Sequence, residues 1–433
     1  MDSIMRIEMQ GFKTLTSLDK ALQTLTEILK KYGKKGLEIV PLLESNGRVC
    51  GEDVYAPFDI PPFDRSAVDG YAVYAEDTFS ASPSNPVELR LVGCLRPGDD
   101  PDLIKINRGE TVEVMTGAPL PINANSVIMA EDAKRVRTDL IEVYKQVHPF
   151  QNVSRKGEDF KKGEIMIKKG VRIKPWHIGA LASFNIETVK VVSKPRVGIL
   201  STGGELVELG SDLKPGKVVN SSKVMLKALT YSCGGEPIDL GIVEDDVNSI
   251  VEKILNGIKI CDVLVTTGGT SVGRGDLVPD AVNLIGKVLV HGIAMRPGKP
   301  TGFGIVNGKL IFMLSGFPVA SLIGFNLFVK PVIEAMLGTV SELSIKVRGR
   351  LIRRVASLSG MSSFVRVRVI KNGDKYIIEP LMLTGSGLIS TLTKANGLLV
   401  IPENLEGYDE GEEVEVELFD PIISLSENEV GDK

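Results

Sequence analysis

The alternation of apolar and polar positions divides this chain into stretches of different period. Over residues 14–30 (TLTSLDKALQTLTEILK) apolar side chains recur at helical spacing, with Thr16 or Ser17 placed to cap the first turn. Residues 36–60 read as a short strand and turns, and Asp59–Val73 as a Pro-rich loop running into a strand. From Val87 to Val147 the runs VELRLVGCL, TVEVMTG, SVIMAE and LIEVYKQV are separated by turn clusters such as Arg96-Pro97-Gly98-Asp99, which predicts a small β domain. Residues 149–193 mix turns with a helix-like HIGALASFNI.

Pro195 opens a different regime. RVGILST, PIDLGIV and DVLVTTGG read as buried strands, and VVNSSKVMLKALTYSCG, DDVNSIVEKILNGI and PDAVNLIG as the helices between them. That alternation predicts a mostly parallel sheet covered on both faces, a three-layer α/β domain with its ligand site at the carboxyl ends of the strands. Leu310–Val329 carries no charge and is long enough to cross a bilayer. Ser315-Gly316-Phe317-Pro318 breaks it, so it reads as a strand over Lys309–Leu314, a turn and a buried helix over Val319–Leu337. From Leu343 the pattern returns to β (IKVRGRLIRRV, FVRVRVI, YIIEPLM, GLLVIP, EEVEVELF), predicting a C-terminal β domain.

Composition narrows the function classes. With 51 Lys plus Arg against 55 Asp plus Glu in 433 residues, the net charge is −4, which argues against a broad basic surface for nucleic acid. Aromatic residues make up 5%, too few for stacking platforms to be the main device. Cys50, Cys94, Cys233 and Cys261 stand far apart, and His148, His177 and His291 are scattered, so no zinc or disulfide framework is expected and a reducing cytosol is the default. The first residues show no apolar signal segment.

Three Gly-rich loops follow strands of the α/β region: Ser201-Thr202-Gly203-Gly204-Glu205, the stretch 267–276 (TGGTSVGRGD) and Arg296-Pro297-Gly298-Lys299-Pro300. Each alone reads equally as a tight turn or as an anion cradle. Together at one sheet edge they favour a phosphate-type ligand, because glycine lets backbone N–H groups approach an anion. None is a P-loop or a dinucleotide fingerprint. Glu205, Asp245 and Asp276 would project from the same edge, where a magnesium ion could bridge carboxylates and phosphate. Asp245 reads equally well as a helix N-cap. Pro297 and Pro300 restrict the backbone around Arg296 and Lys299, a rigid cationic corner suited to a small tetrahedral oxyanion. Asp59, Asp64 and Asp69 recur every five residues, and Asp69-Gly70 could be merely a turn.

Six ordered motifs together resemble one family. PPFDRSAVDGYAV, MTGAP (115–119), RKGED (155–159), STGGEL (201–206), GGTSVGRGD (268–276) and RPGKPTGFG (296–304) look like the molybdopterin molybdenumtransferases, the MoeA proteins and the E domain of gephyrin. The likeness runs from about residue 14 to 420. It implies an α/β multidomain chain of four domains. Domain I would be mixed and discontinuous (13–56 with 150–194) and domain II β (57–149). Domain III would be the α/β molybdopterin-binding domain (195–339), and domain IV a β-barrel-like domain (340–423).

The resemblance also implies a homodimer with its active cleft between subunits. The reaction would join molybdate to adenylylated molybdopterin and release AMP with Mg²⁺ or a similar divalent ion. A molybdopterin adenylyltransferase would supply the substrate and apo-molybdoenzymes would take the product, with no nucleic acid or membrane involved. By position, Asp69, Thr116, Asp159 and Asp276 match catalytic residues, and Glu205, Asp245 and Asp276 the metal cluster. Gly203, Glu205, Gly268, Gly269, Ser271, Gly273, Arg296, Pro297, Lys299, Pro300, Arg366 and Ser386 match the pterin and molybdate side. The chain departs from the family at Leu314–Ser321, LSGFPVAS where LPGNPVS is usual, and has Gly204 where Asp is common. Two other readings stay open: a tungstate-inserting homologue, and a molybdopterin carrier or scaffold without catalysis.

Overall fold

In a computed structural model of the chain, residues 14–30, 32–33, 35–269, 277–339, 344–381 and 385–424 are described. They form two compact units. One comprises residues 39–46 and 50–190, the other residues up to 38, 47–49 and 191 onward.

In the first unit a six-stranded sheet runs in the order Ser126–Met129, Gly70–Val73, Glu110–Val114, Val87–Leu95, Leu140–Val143, Ala133–Arg137. Neighbouring residues point to opposite faces, so Ala72 and Val127 join one cluster and Val73 and Ile128 the other. GYAV and SVIM accordingly read as nearly continuous apolar runs, as strands covered on both faces do. Asp69-Gly70 is not a turn. Gly70 begins a strand, and a Cβ there would lie 1.8 Å from the Ile128 carbonyl oxygen.

The second unit is built on an α/β sheet. Its elements are β1 (Arg196–Thr202), α1 (Ser221–Ser232), β2 (Glu236–Val243), α2 (Val247–Ile260), β3 (Val263–Thr267), α3 (Leu277–Ile285), β4 (Lys287–His291), β5 (Gly302–Val306), β6 (Lys309–Leu314), α4 (Pro318–Gly324) and α5 (Lys330–Leu337). The order is β2-β1-β3-β6-β5-β4, with β1, β2, β3 and β6 parallel and β5 reversed. Leu310, Phe312 and Leu314 face one helical layer with Leu226, Phe328 and Val332. Ile311 and Met313 face the other with Ile250, Ile254 and Val282. This is the expected three-layer arrangement, and its core is apolar on both faces because helices cover both.

Pro318–Leu337 is apolar and long enough to cross a membrane, yet Val319, Phe325, Phe328, Val329, Val332 and Ile333 are fully buried in this core. A π-helical segment, Phe325–Val329, joins α4 to α5. The helix Leu18–Leu29, capped by Ser17, buries Leu18, Ala21 and Leu25 in the same cluster. Its apolar stripe closes one face of the α/β core.

The C-terminal strands Ser362–Asn372, Lys375–Pro380, Lys346–Leu351, Glu413–Leu418 and Gly397–Ile401 pair in that order, and the last pairs back to the first, closing a five-stranded barrel. Val367, Val369, Ile378, Leu399 and Val416 fill it. The short helix Ser390–Lys394 was not anticipated from the strand pattern.

Candidate functional site

The site is assembled at the carboxyl edge of the α/β sheet. β1 ends at Thr202, β3 at Thr267 and β6 at Leu314, so the loops that follow emerge side by side. Gly268 (φ +91°) and Gly269 (φ +62°) turn against Thr202. A Cβ on Gly268 would lie 2.3 Å from the Thr202 carbonyl oxygen, and one on Gly269 2.5 Å from its Oγ1. The α1 N-terminus reaches the same place: the Asn220 side-chain oxygen accepts from the Lys223 N–H at 3.2 Å, and Ser222 Oγ donates to the Gly316 carbonyl at 2.8 Å.

The cationic loop is braced from two distant parts of the chain. Thr16 N–H donates to the Gly292 carbonyl at 2.9 Å and Ala294 N–H to that of Thr16 at 2.8 Å. Met295-Arg296 pairs in parallel with Ser362-Ser363 of the barrel. The loop is therefore held by hydrogen bonds as well as by its prolines.

These segments enclose a cavity of about 930 Å³. Of the residues singled out in the sequence, Glu205, Gly268, Gly269, Arg296, Pro297, Lys299, Pro300, Arg366 and Ser386 line it. Among the described lining residues the charged side chains are Arg296, Lys299 and Arg366 against Glu205 alone, a balance that favours an anion. Arg366 is 2% exposed, and burial lowers the pKa of its guanidinium. Its Nε donates to Thr391 Oγ1 at 3.2 Å. Thr202 Oγ1 and Asn220 Nδ2 are buried at the cavity without hydrogen-bond partners, so a ligand there could satisfy both. Neither was singled out as a site residue. The sequence signal for Asn220 was an Asn-Ser-Ser run opening a helix at the predicted ligand edge.

The acidic residues divide. Glu205 folds its carboxylate back over Gly203, with its oxygens 2.8 and 2.9 Å from where a Cβ of that glycine would stand. Asp245 Oδ2 accepts from the Gly204 N–H at 3.4 Å. The N-cap of α2 is Asp246, which accepts from the Ser249 N–H at 2.8 Å, so Asp245 is left facing the β1 loop. Gly203 and Asp245 stand beside the cavity rather than in its lining. Asp276, Ser271 and Gly273 lie outside the described residues. Ser321, the last residue of the altered 314–321 stretch, is buried with its hydroxyl on the Ser315 carbonyl, so it offers nothing to the cavity.

Asp69, Thr116 and Asp159 belong to the other unit. Asp69 Oδ1 accepts from the Thr116 N–H at 2.6 Å and from its hydroxyl at 2.8 Å. These bonds hold the Asp69 pKa below the usual 3.8. The lowered native value makes a contribution to stability that is complete above the unfolded pKa and lost as pH falls through the native one. Thr116→Val is expected to raise the Asp69 titration midpoint, read by carboxyl NMR. An unchanged midpoint would mean the Thr116 hydroxyl does not stabilise the carboxylate. Asp159 is exposed, and Asp59 and Asp64 accept from the Lys162 and Lys156 N–H groups, organising the loop.

Three family models match the chain in order. The MoeA N-terminal region (domains I and II) matches residues 16–185, the probable molybdopterin-binding domain 198–335 and the MoeA C-terminal region (domain IV) 348–419. The chain belongs to the MoeA family. A protein of Methanocaldococcus jannaschii named for molybdopterin biosynthesis is 42% identical over 95% of this chain and all of its own length. The molybdopterin molybdenumtransferase of Bacillus subtilis is 34% identical over 94% of this chain and 95% of that protein. The solved structure of a molybdopterin biosynthesis MoeA protein from Pyrococcus horikoshii superposes with a TM-score of 0.81 at 39% identity, covering 94% of this chain and all of that one. As a MoeA-family member the chain is a transferase of molybdenum cofactor biosynthesis. The cavity, built largely from residues within the matched molybdopterin-binding region, is its candidate ligand site.

Proposed function

We propose that the chain inserts molybdate into adenylylated molybdopterin, releasing AMP, and does so as a homodimer whose site is completed by the partner subunit. A molybdopterin adenylyltransferase supplies the substrate, and apo-molybdoenzymes receive the product. The observation that carries this reading is the single cavity in which a carboxylate, two glycine turns, three cations and two unpartnered buried polar groups meet.

The Gly268 and Gly269 backbone, the α1 N-terminus, Thr202 and Asn220 bind the phosphate oxygens. Arg296, Lys299, Arg366 and Ser386 hold molybdate, with Pro297 and Pro300 fixing the loop. Holding both reactants together makes their encounter intramolecular. Glu205 and Asp245 are hard oxygen donors beside the 203–204 turn and fit a magnesium ion, which takes one or two carboxylates and completes its shell with water and phosphate. Asp276 joins them by resemblance, as do Ser271 and Gly273 on the phosphate side. A bound divalent ion supplies polarisation of the phosphoanhydride and neutralisation of the leaving phosphate. Asp69, Thr116 and Asp159 act from the partner subunit, the Asp69–Thr116 pair keeping an ionised carboxylate available.

The test is anaerobic incubation with adenylylated molybdopterin, magnesium and molybdate, reading AMP and reconstitution of an apo-molybdoenzyme. AMP formed in step with active cofactor supports the reading, and cofactor formation without AMP overturns it. Competing tungstate in the same assay reads oxyanion choice. Lys299→Met is expected to raise the KM for molybdate about tenfold, the loss of one charge-assisted contact. An unchanged KM would remove Lys299 from the oxyanion site.

A further inference from the structure

Lys223 occupies the first turn of α1, where a cation opposes the helix dipole, and its side chain is 3% exposed. Such a charge persists in the interior only with close partners. Its Nζ donates to both Glu208 carboxylate oxygens at 2.6 Å and to Asp239 Oδ1 at 3.1 Å. Asp239 stands on β2 and also accepts from the Gly241 N–H at 2.8 Å and from Lys227 Nζ at 3.2 Å. Burial raises its pKa, and these donors outweigh that and keep it lowered.

Glu208 lies on the 203–220 connection between β1 and α1. That connection brings Glu205, Leu206, Val218 and Val219 to the cavity. Three of its bonds hold it to itself: Val218 N–H to the Glu205 carbonyl at 2.9 Å, Asn220 N–H to that of Val207 at 3.0 Å, and Lys217 Nζ to that of Gly204 at 2.5 Å; the bonds that leave it at its two ends, Gly204 N–H to Asp245 Oδ2 at 3.4 Å and Lys223 N–H to Asn220 Oδ1 at 3.2 Å, are longer. The Lys223–Glu208 pair instead ties the connection to a helix and a sheet strand.

We propose that Lys223 is a positioning residue that clamps the Glu205-bearing connection over the cavity, setting substrate affinity without touching substrate. What the connection binds rests on the function proposed above; the clamp itself does not. Two variants are compared with wild type, Lys223→Met and the half-exposed partner variant Glu208→Gln, together with Lys223→Arg. Hydrogen exchange should speed up about tenfold at amides 204–219 in Lys223→Met and Glu208→Gln, and not in the barrel strands. The KM for adenylylated molybdopterin should rise about tenfold with kcat within about threefold, and Lys223→Arg should restore both. Unchanged exchange in Glu208→Gln overturns the clamp, whatever the reaction. Faster exchange with an unchanged KM overturns its role in affinity. If wild type releases no AMP, the proposed reaction fails and exchange alone decides the clamp.

Discussion

Gly268→Ala is expected to cost about 2–4 kcal/mol of stability, a combination of left-handed backbone strain and a steric clash. The added Cβ would lie 2.3 Å from the Thr202 carbonyl oxygen, and φ is +91°, where an L side chain is strained whatever the space. Thr202 cannot readily retreat, because its strand is paired on both sides, to β2 and to β3. Gly204→Ala is the control: nothing lies within 4 Å of a Cβ there and its φ is not left-handed. It should change stability by less than about 0.5 kcal/mol. Urea unfolding of both variants reads the difference. Equal midpoints for Gly268→Ala and wild type would show that the two loops do not approach as described.

Glu205→Gln should slow AMP release by about two orders of magnitude, or roughly 2.7 kcal/mol in the barrier. The amide keeps the shape of the side chain and can lie over Gly203 as the carboxylate does, so the change removes charge and little else. Glu205 is exposed, and its replacement should shift the unfolding midpoint little. The loss should therefore appear in rate rather than in folding. Equal rates together with an unchanged half-saturating magnesium concentration would take Glu205 out of the ion-binding set.

Much of this site was legible before any fold was seen. VGIL (197–200) and VLV (263–265) are uninterrupted apolar runs, and such runs are strands buried on both faces; the Gly-rich sequences after them therefore had to emerge at a sheet edge. That argument brought Glu205, Gly268, Gly269 and the Arg296–Pro300 loop toward one place, and they line one cavity. Asp245 was less legible. Three consecutive acidic residues precede α2, and which of them caps the helix depends on backbone angles that composition does not carry; Asp246 takes the role. The parts played by Asn220 and by the Thr202 hydroxyl are not legible in sequence, because an ordinary cap and an ordinary strand end look the same whether or not their remaining polar atoms find partners.

The period of apolar positions by itself determined the order of strands and helices, the two-sided burial of the α/β sheet and the places where loops open. Those properties follow from side-chain direction along a local backbone, which neighbours in sequence dictate. Only the tertiary structure decided that Thr16 and the barrel strand at Ser362 brace the cationic loop, that Leu18–Leu29 closes the α/β core, and that Lys223 meets Glu208 and Asp239. Each of these is a contact between segments whose separation along the chain says nothing about their distance in space, and it arises because apolar faces and unpaired polar groups must find partners somewhere in the folded molecule.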